Sequence, residues 1–324
     1  MHKTFYSNGK LLLTGEYVVL DGALSLAMPT SYGQSLTIEP KNNRFLYWES
    51  IDEQGKRWFE ATIDLDELKL NIFNKVQTFQ NKKNNALAKA ITKTSDVEIA
   101  ITLLKILIEA QKLNSIFLSG PEGYEITTKL TFNKDWGLGS SSTLINNIAQ
   151  WATIDPYKLL QHTFSGSGYD IACAKHNTPI TYQLVNKNPI VKEVRFDPLY
   201  KDRLFFVYLN KKQNSRDGIA LYKNLRGSKL PYIKAVSKIT EKLLVAKTLN
   251  DFESLIEQHE QVISKMLGFP TIKKSLFPDY NYGTIKSLGA WGGDFILATG
   301  NKNTLDYFYN KGFKTIVPYH KMFL

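Results

Sequence analysis

The stretch Trp136-Gly137-Leu138-Gly139-Ser140-Ser141-Ser142-Thr143 constrains this chain more than any other, because an apolar run with helical spacing follows it directly: Leu144, Ile145, Ile148, Ala149, Trp151 and Ala152. Two glycines let a backbone fold tightly and approach a ligand closely, and serines suit the start of a helix. The first-turn N–H groups of such a helix can hold an anion. Ahead of the turn, Ile116–Leu118 and Tyr124–Phe132 read as strands, so the order is strand, glycine turn, serine cap, helix. No lysine follows the second glycine as the Walker pattern requires, which sets aside the nucleotide folds that depend on that lysine.

The segments before this turn read mainly as β-structure. Leu11–Leu13 form a short buried-strand candidate, Thr14-Gly15 breaks it, and Tyr17–Leu20 resumes an apolar run that ends at Asp21-Gly22. Lys10 and Glu16 flank that strand and could project toward a site. Ser25–Pro29 and Gln34–Glu39 look like two further strands, and Phe45–Ser50 with Arg57–Ile63 like a hairpin around Asp52–Gly55. From Asn71 the spacing becomes helical. Asp96 caps a helix through Ile99, Leu103, Leu104, Leu107 and Ile108, with Lys112 near its end and Asn114 as its stop.

Beyond the serines, Asp155-Pro156 suits a helix start. Ser165-Gly166-Ser167-Gly168-Tyr169-Asp170 then makes a second tight turn into Ile171–Ala174, a small-residue helix with Asp170 in its first turn, where the helix dipole favours an ionised carboxylate. Pro179–Phe196 forms a hairpin turning at Asn186–Pro189, and Leu204–Leu209 a buried strand that opens a second lobe. The basic loop Asn210–Asp217 could border a site. Helical segments at Ile233–Ala246 and Asp251–Met266 lead to a third glycine cluster, Lys286–Asp294, followed by the strand Phe295–Ala298 and a closing strand around Thr315–Tyr319. The fold class is α+β, with lobes at residues 1–200 and 201–324.

Composition narrows the classes of function. The chain has 324 residues, 43% of them hydrophobic and 22% charged, enough for a large core. No apolar run reaches membrane-spanning length, and a lone cysteine, Cys173, excludes an intramolecular disulfide, so a cytoplasmic protein without membrane contact is expected. The net charge of +11 suits anionic small molecules; lysines are dispersed along the chain, and no nucleic-acid partner is expected. A homodimer is left open, because periodicity does not separate a dimer face from a core face.

Taken in order, these segments resemble the GHMP kinase superfamily. Gly9-Lys10 through Glu16-Tyr17-Val18-Val19-Leu20 is similar to its N-terminal motif, Gly137 through Ser142 to its nucleotide loop, and Gly289-Ala290-Trp291-Gly292-Gly293-Asp294 to its third motif. Gly166–Ala172, with the core G-Y-D-I-A, resembles the segment that carries the catalytic aspartate and gives a bacterial subgroup its name. The resemblance implies a two-lobed fold, the N-terminal lobe like ribosomal protein S5 and the C-terminal lobe ferredoxin-like. It also implies an enzyme that uses ATP and Mg2+ to phosphorylate a small-molecule substrate, in the mevalonate and phosphomevalonate kinase branch of isoprenoid synthesis.

The resemblance assigns roles residue by residue. Gly137, Leu138, Gly139, Ser140, Ser141 and Ser142 would hold the triphosphate, with the Ser141 hydroxyl reaching magnesium. Asp170 would orient or deprotonate the acceptor hydroxyl, and Lys10 would stabilise negative charge and keep Asp170 ionised. Glu16, Tyr17, Gly289, Ala290, Gly292 and Gly293 would bind or shape the acceptor side. Leu159 stands where mevalonate kinases carry a magnesium-binding glutamate, Trp291 replaces a glycine of the third motif, and Asn133–Trp136 stands where a proline usually precedes the nucleotide loop. Other GHMP activities, such as a sugar or homoserine kinase or a diphosphomevalonate decarboxylase, and a non-catalytic sensor are the alternatives.

Overall fold

The computed structural model describes residues 2–68, 88–212, 215–289 and 291–324. The helical pattern that begins at Asn71 lies outside the described residues as far as residue 87, and Ala290 lies outside them too. The chain forms two compact units: residues 1–7, 33–133 and 140–174 make the first, and residues 8–32, 134–139 and 175–324 make the second. Strands β1 (Lys3–Thr14) and β2 (Ser25–Lys41) contribute residues to both.

In the first unit the strand order is β5 (Ile91–Thr94), β4 (Arg57–Asp64), β3 (Phe45–Ile51), β6 (Gly123–Leu130) and the C-terminal part of β2. β3 and β6 run parallel, and the other neighbours are antiparallel. β4 buries alternate residues, Phe59, Ala61 and Ile63, as a strand with one covered face should. The cover comes from α1 (Val97–Leu113), α2 (Ser140–Ala152) and α3 (Pro156–Thr163), which pack on one another and share a core with the sheet through Leu104, Leu107, Ile148 and Leu159. Each such side chain, fully buried, contributes about 1.5–3 kcal/mol. The Asp96 carboxylate caps α1 through the amides of Glu98 and Ile99, and Asp155 caps α3 with Pro156 in its first turn.

The second unit contains an antiparallel four-stranded sheet in the order β10 (Ile285–Ser287), β11 (Phe295–Thr299), β9 (Leu204–Tyr208) and β12 (Ile316–Pro318). All five residues of β11 are buried, which accounts for its unbroken apolar sequence. Here α5 (Ser215–Lys223) precedes the packed pair α6 (Leu230–Leu243) and α7 (Leu249–Leu267). The hairpin of β7 (Ile180–Val185) and β8 (Asn188–Glu193) turns at Asn186 and Lys187, both at positive φ, and β7 pairs with the first residues of β2. The architecture is mixed α+β.

Two local expectations are corrected, and the conformation of the apolar run Tyr17–Leu20 is defined. Ser25–Pro29 and Gln34–Glu39 are one strand: Gly33 marks a close approach rather than a break, since a Cβ there would run into the Ser7 carbonyl and the Tyr6 ring. Tyr17–Leu20 does not continue as a strand, because Tyr17 takes φ 62° and a 3-10 turn, Val18–Asp21, follows. Ile116–Leu118 is a turn, with Ile116 80% exposed and Leu118 at φ 57°.

Candidate active site

In the second unit, β1 is laced to the glycine turn. The Lys10 amide donates to the Leu138 carbonyl at 2.9 Å, and the Lys10 ammonium donates to the Gly137 carbonyl, also at 2.9 Å. Gly137 and Gly139 take φ 67° and 93°, conformations that favour glycine. A side chain at 137 is excluded on a second ground, since its Cβ would run into the Asp294 carboxylate. Asp294 is itself at φ 53° and is pinned on both sides, its amide donating to Lys211 O at 2.9 Å and its carbonyl accepting from Leu209 N at 2.8 Å. Ahead of the turn, the Trp136 ring stands edge-on to Tyr32 and Phe295, 5.5 Å from each.

The third glycine cluster lies in the same unit. Gly289 and Gly292 turn through positive φ, and the Gly292 amide donates to Ser287 Oγ at 3.3 Å. The Tyr17 hydroxyl accepts from the Trp291 amide at 2.8 Å. The Trp291 ring packs against the apolar cluster of Tyr17, Val18, Tyr222 and Met266, so its bulk is absorbed by the helical core of this unit. Tyr17 also stacks on Tyr222, whose hydroxyl donates to Asp21 at 2.6 Å. Burial pushes the Tyr17 hydroxyl pKa up, so it stays protonated. The Glu16 side chain is buried in an ion pair with Lys286.

In the first unit, Ser140 begins α2 directly after the glycine turn. Ser141 is exposed and Ser142 is buried. A buried polar network fixes the helix from behind. Thr143 Oγ1 donates to Gln34 Oε1 at 2.8 Å, Asn147 Nδ2 to Gln34 O at 2.9 Å, Ser7 Oγ to Asn147 Oδ1 at 2.7 Å and Asn146 Nδ2 to Ser7 Oγ at 2.8 Å. Thr143 and Asp294 stand within the quoted glycine stretches but were given no role from sequence, and Ser7, Gln34, Asn146 and Asn147 were not singled out. The paired asparagines inside the apolar run Leu144–Ala152 were the available signal, because two adjacent amides on a buried helix require partners.

Asp170 is the second residue of α4 (Tyr169–Lys175) and is half-buried, one carboxylate oxygen accepting from the Ile171 amide at 3.0 Å. Burial raises the pKa of the Tyr157 hydroxyl, with smaller contributions from Cys173, Asp155 and Asp170. Leu159 is fully buried in the apolar core, and among the described residues no group of three His, Cys, Asp or Glu side chains could hold a metal. The first-turn amides of α2 are of the kind that can hold an anion. Magnesium commonly takes few protein ligands and is completed by phosphates and water, which an exposed Ser141 hydroxyl fits.

No protein-family model matches the chain, and no curated protein matches its sequence. Its fold is that of the GHMP kinases. Solved structures that share it include the mevalonate kinase of Methanococcus jannaschii, with TM-score 0.65, 14% identity, and coverage of 98% of this chain and 97% of that one. A phosphomevalonate kinase of Streptococcus pneumoniae, in complex with phosphomevalonate and AMPPNP, gives TM-score 0.65 and 13% identity over 98% and 99% of the two chains. The galactokinase of Lactococcus lactis, complexed with galactose, gives TM-score 0.61 and 11% identity over 98% and 92%.

Proposed function

We propose that this chain is an ATP-dependent phosphotransferase that passes the γ-phosphate to mevalonate or phosphomevalonate. The observation that carries the reading is the lacing of Lys10 onto the Gly137–Gly139 turn, which leads straight into the first turn of α2. Phosphoryl transfer depends on positioning and charge stabilisation. In this reading the amides around Gly139 and Ser140 cradle the phosphates, Ser141 reaches magnesium, Lys10 stabilises developing negative charge, and Asp170 receives or orients the acceptor proton. Magnesium, when bound, neutralises the phosphate oxygens. Glu16, Tyr17 and the Gly289–Gly293 turn form the acceptor side, all of them in the second unit. A mevalonate kinase and a phosphomevalonate kinase among the fold neighbours support this acceptor class. The buried lone cysteine suits a cytoplasmic setting.

Release of ADP with ATP and magnesium tests the reading across mevalonate, phosphomevalonate, galactose and homoserine. Turnover of a mevalonate compound is expected. Turnover of galactose or homoserine moves the acceptor elsewhere in the fold family, and release of carbon dioxide identifies a decarboxylase. Leu159 favours a second reading, a ligand sensor, because an apolar side chain fills the position of the expected metal ligand. ATP binding without any product is the result that supports it.

A further inference from the structure

The second unit buries four ionisable side chains in one cluster, of which the proposed function draws on Glu16 alone. Lys286 on β10 and His259 on α7 are 0% exposed, and Glu16 and Glu260 are 2% exposed. The Lys286 ammonium has three protons and three acceptors: the Glu16 carboxylate, the Ser287 carbonyl at 2.9 Å and Glu260 Oε1 at 3.5 Å. His259 Nε2 accepts from the Gly15 amide at 3.1 Å and lies 3.2 Å from Glu16 Oε2. A nitrogen that accepts from Gly15 has no proton to give to Glu16, so this imidazole is neutral and carries its proton on Nδ1. Burial and the neighbouring ammonium, which hold its pKa well below the usual histidine range, act in the same sense. One cation therefore faces two carboxyl side chains, with Tyr17 and its protonated hydroxyl on the adjoining turn.

We propose that Lys286 is a positioning residue for the phosphotransfer site, its buried ammonium clamping the turn that follows β1 to the strand that opens the Ser287–Asp294 turn. The two clamped segments are those that carry Tyr17, Gly289, Gly292 and Gly293, so the clamp sets the spacing of the acceptor side. A buried ion pair adds little net stability over apolar side chains of the same volume, but its directional bonds fix one arrangement of the parts it joins. The Tyr17 hydroxyl on the Trp291 amide is a second tie between the same two segments, placed one residue after Glu16. The activity arm of this inference rests on the phosphotransferase reading; the clamp itself does not.

The test uses the full chain with Lys286→Met, Glu16→Gln, their combination and Glu260→Gln, each followed by amide hydrogen exchange and by steady-state kinetics. In Lys286→Met and Glu16→Gln, exchange across residues 15–21 and 287–294 should rise about tenfold or more, as expected of local loosening. Loss of alignment should lower kcat about a hundredfold, while the KM for ATP stays within about twofold. The combined variant should be no worse than the weaker single one, because both remove the same bond. Glu260→Gln leaves the Glu16–Lys286 pair in place and should leave both segments as protected as in the wild type. Unchanged exchange in both segments, a preserved kcat, or additive losses in the combined variant overturns the clamp. Should Lys286→Met fail to fold, Glu16→Gln, which keeps volume and ammonium, decides by the same readings. A wild-type chain without turnover defeats the phosphotransferase reading, and the exchange arm then decides the clamp.

Discussion

Glu260 offers a sharp test of the electrostatics inside the second unit. One of its carboxylate oxygens lies 3.5 Å from the Lys286 ammonium, and the other has no hydrogen-bond partner among the described residues. Burial pushes its pKa from 4.5 up to about 7, with Lys286 pulling down and Glu16 pushing up. The folded state therefore keeps a proton that the unfolded chain has released. The stabilisation from this proton is complete below the unfolded value and is lost as pH rises through about 7. At about 1.4 kcal/mol per pKa unit, the loss between pH 5 and pH 8 comes to about 2–3 kcal/mol. His259 acts with the opposite sign: its pKa is held well below 6.5, so its contribution is present above that value and is lost on acidification. Glu260→Gln leaves the histidine in place, and the difference between variant and wild type isolates the carboxyl. Opening free energies from native-state hydrogen exchange of α7 amides, corrected for intrinsic exchange at each pH, give that difference for this unit alone. The variant should gain about 2–3 kcal/mol on the wild type from pH 5 to pH 8. Profiles that run parallel within about 0.5 kcal/mol refute the reasoning.

Three further outcomes are expected. Asp170→Ala should lower turnover by about a hundredfold or more and leave ATP affinity, read by calorimetry, within about twofold; comparable activity removes the acceptor role from this carboxylate. Ser141→Ala should weaken the magnesium dependence of turnover, and an unchanged magnesium titration moves the metal away from this hydroxyl. Gly137→Ala forces a side chain to φ 67° and into the Asp294 carboxylate, a strain of about 1–3 kcal/mol that should lower both the melting temperature and ATP affinity. Wild-type values for both contradict the packing described at that turn.

Local features were legible in the sequence wherever one short segment contained its own reason. The α1 helix shows its cap at Asp96, its apolar spacing and its stop at Asn114, and the structure uses all three. Asp155-Pro156 and the Asn186-Lys187 turn are of the same kind. Features that depend on distant partners were not legible. Glu16 and Lys286 are separated by 270 positions, and nothing near Glu16 announces a buried ammonium. Gly33 reads as a break, because the approach of Ser7 and Tyr6 that requires a glycine there is tertiary. Trp291 reads as an obstruction in a glycine motif, whereas its ring has an apolar cluster to pack against. Asp294 reads as the last residue of that motif, and only its placement over Gly137 shows what it constrains.

The most direct measurement is mass analysis of the acceptor after incubation with the wild-type chain, ATP and magnesium, mevalonate and phosphomevalonate being offered separately and Asp170→Ala serving as the control. The expected result is one acceptor carrying one additional phosphoryl group, formed by the wild type and not by the variant. Unmodified acceptors in both reactions, with ATP bound, contradict the proposed transfer; equal product from wild type and variant contradicts the role given to Asp170.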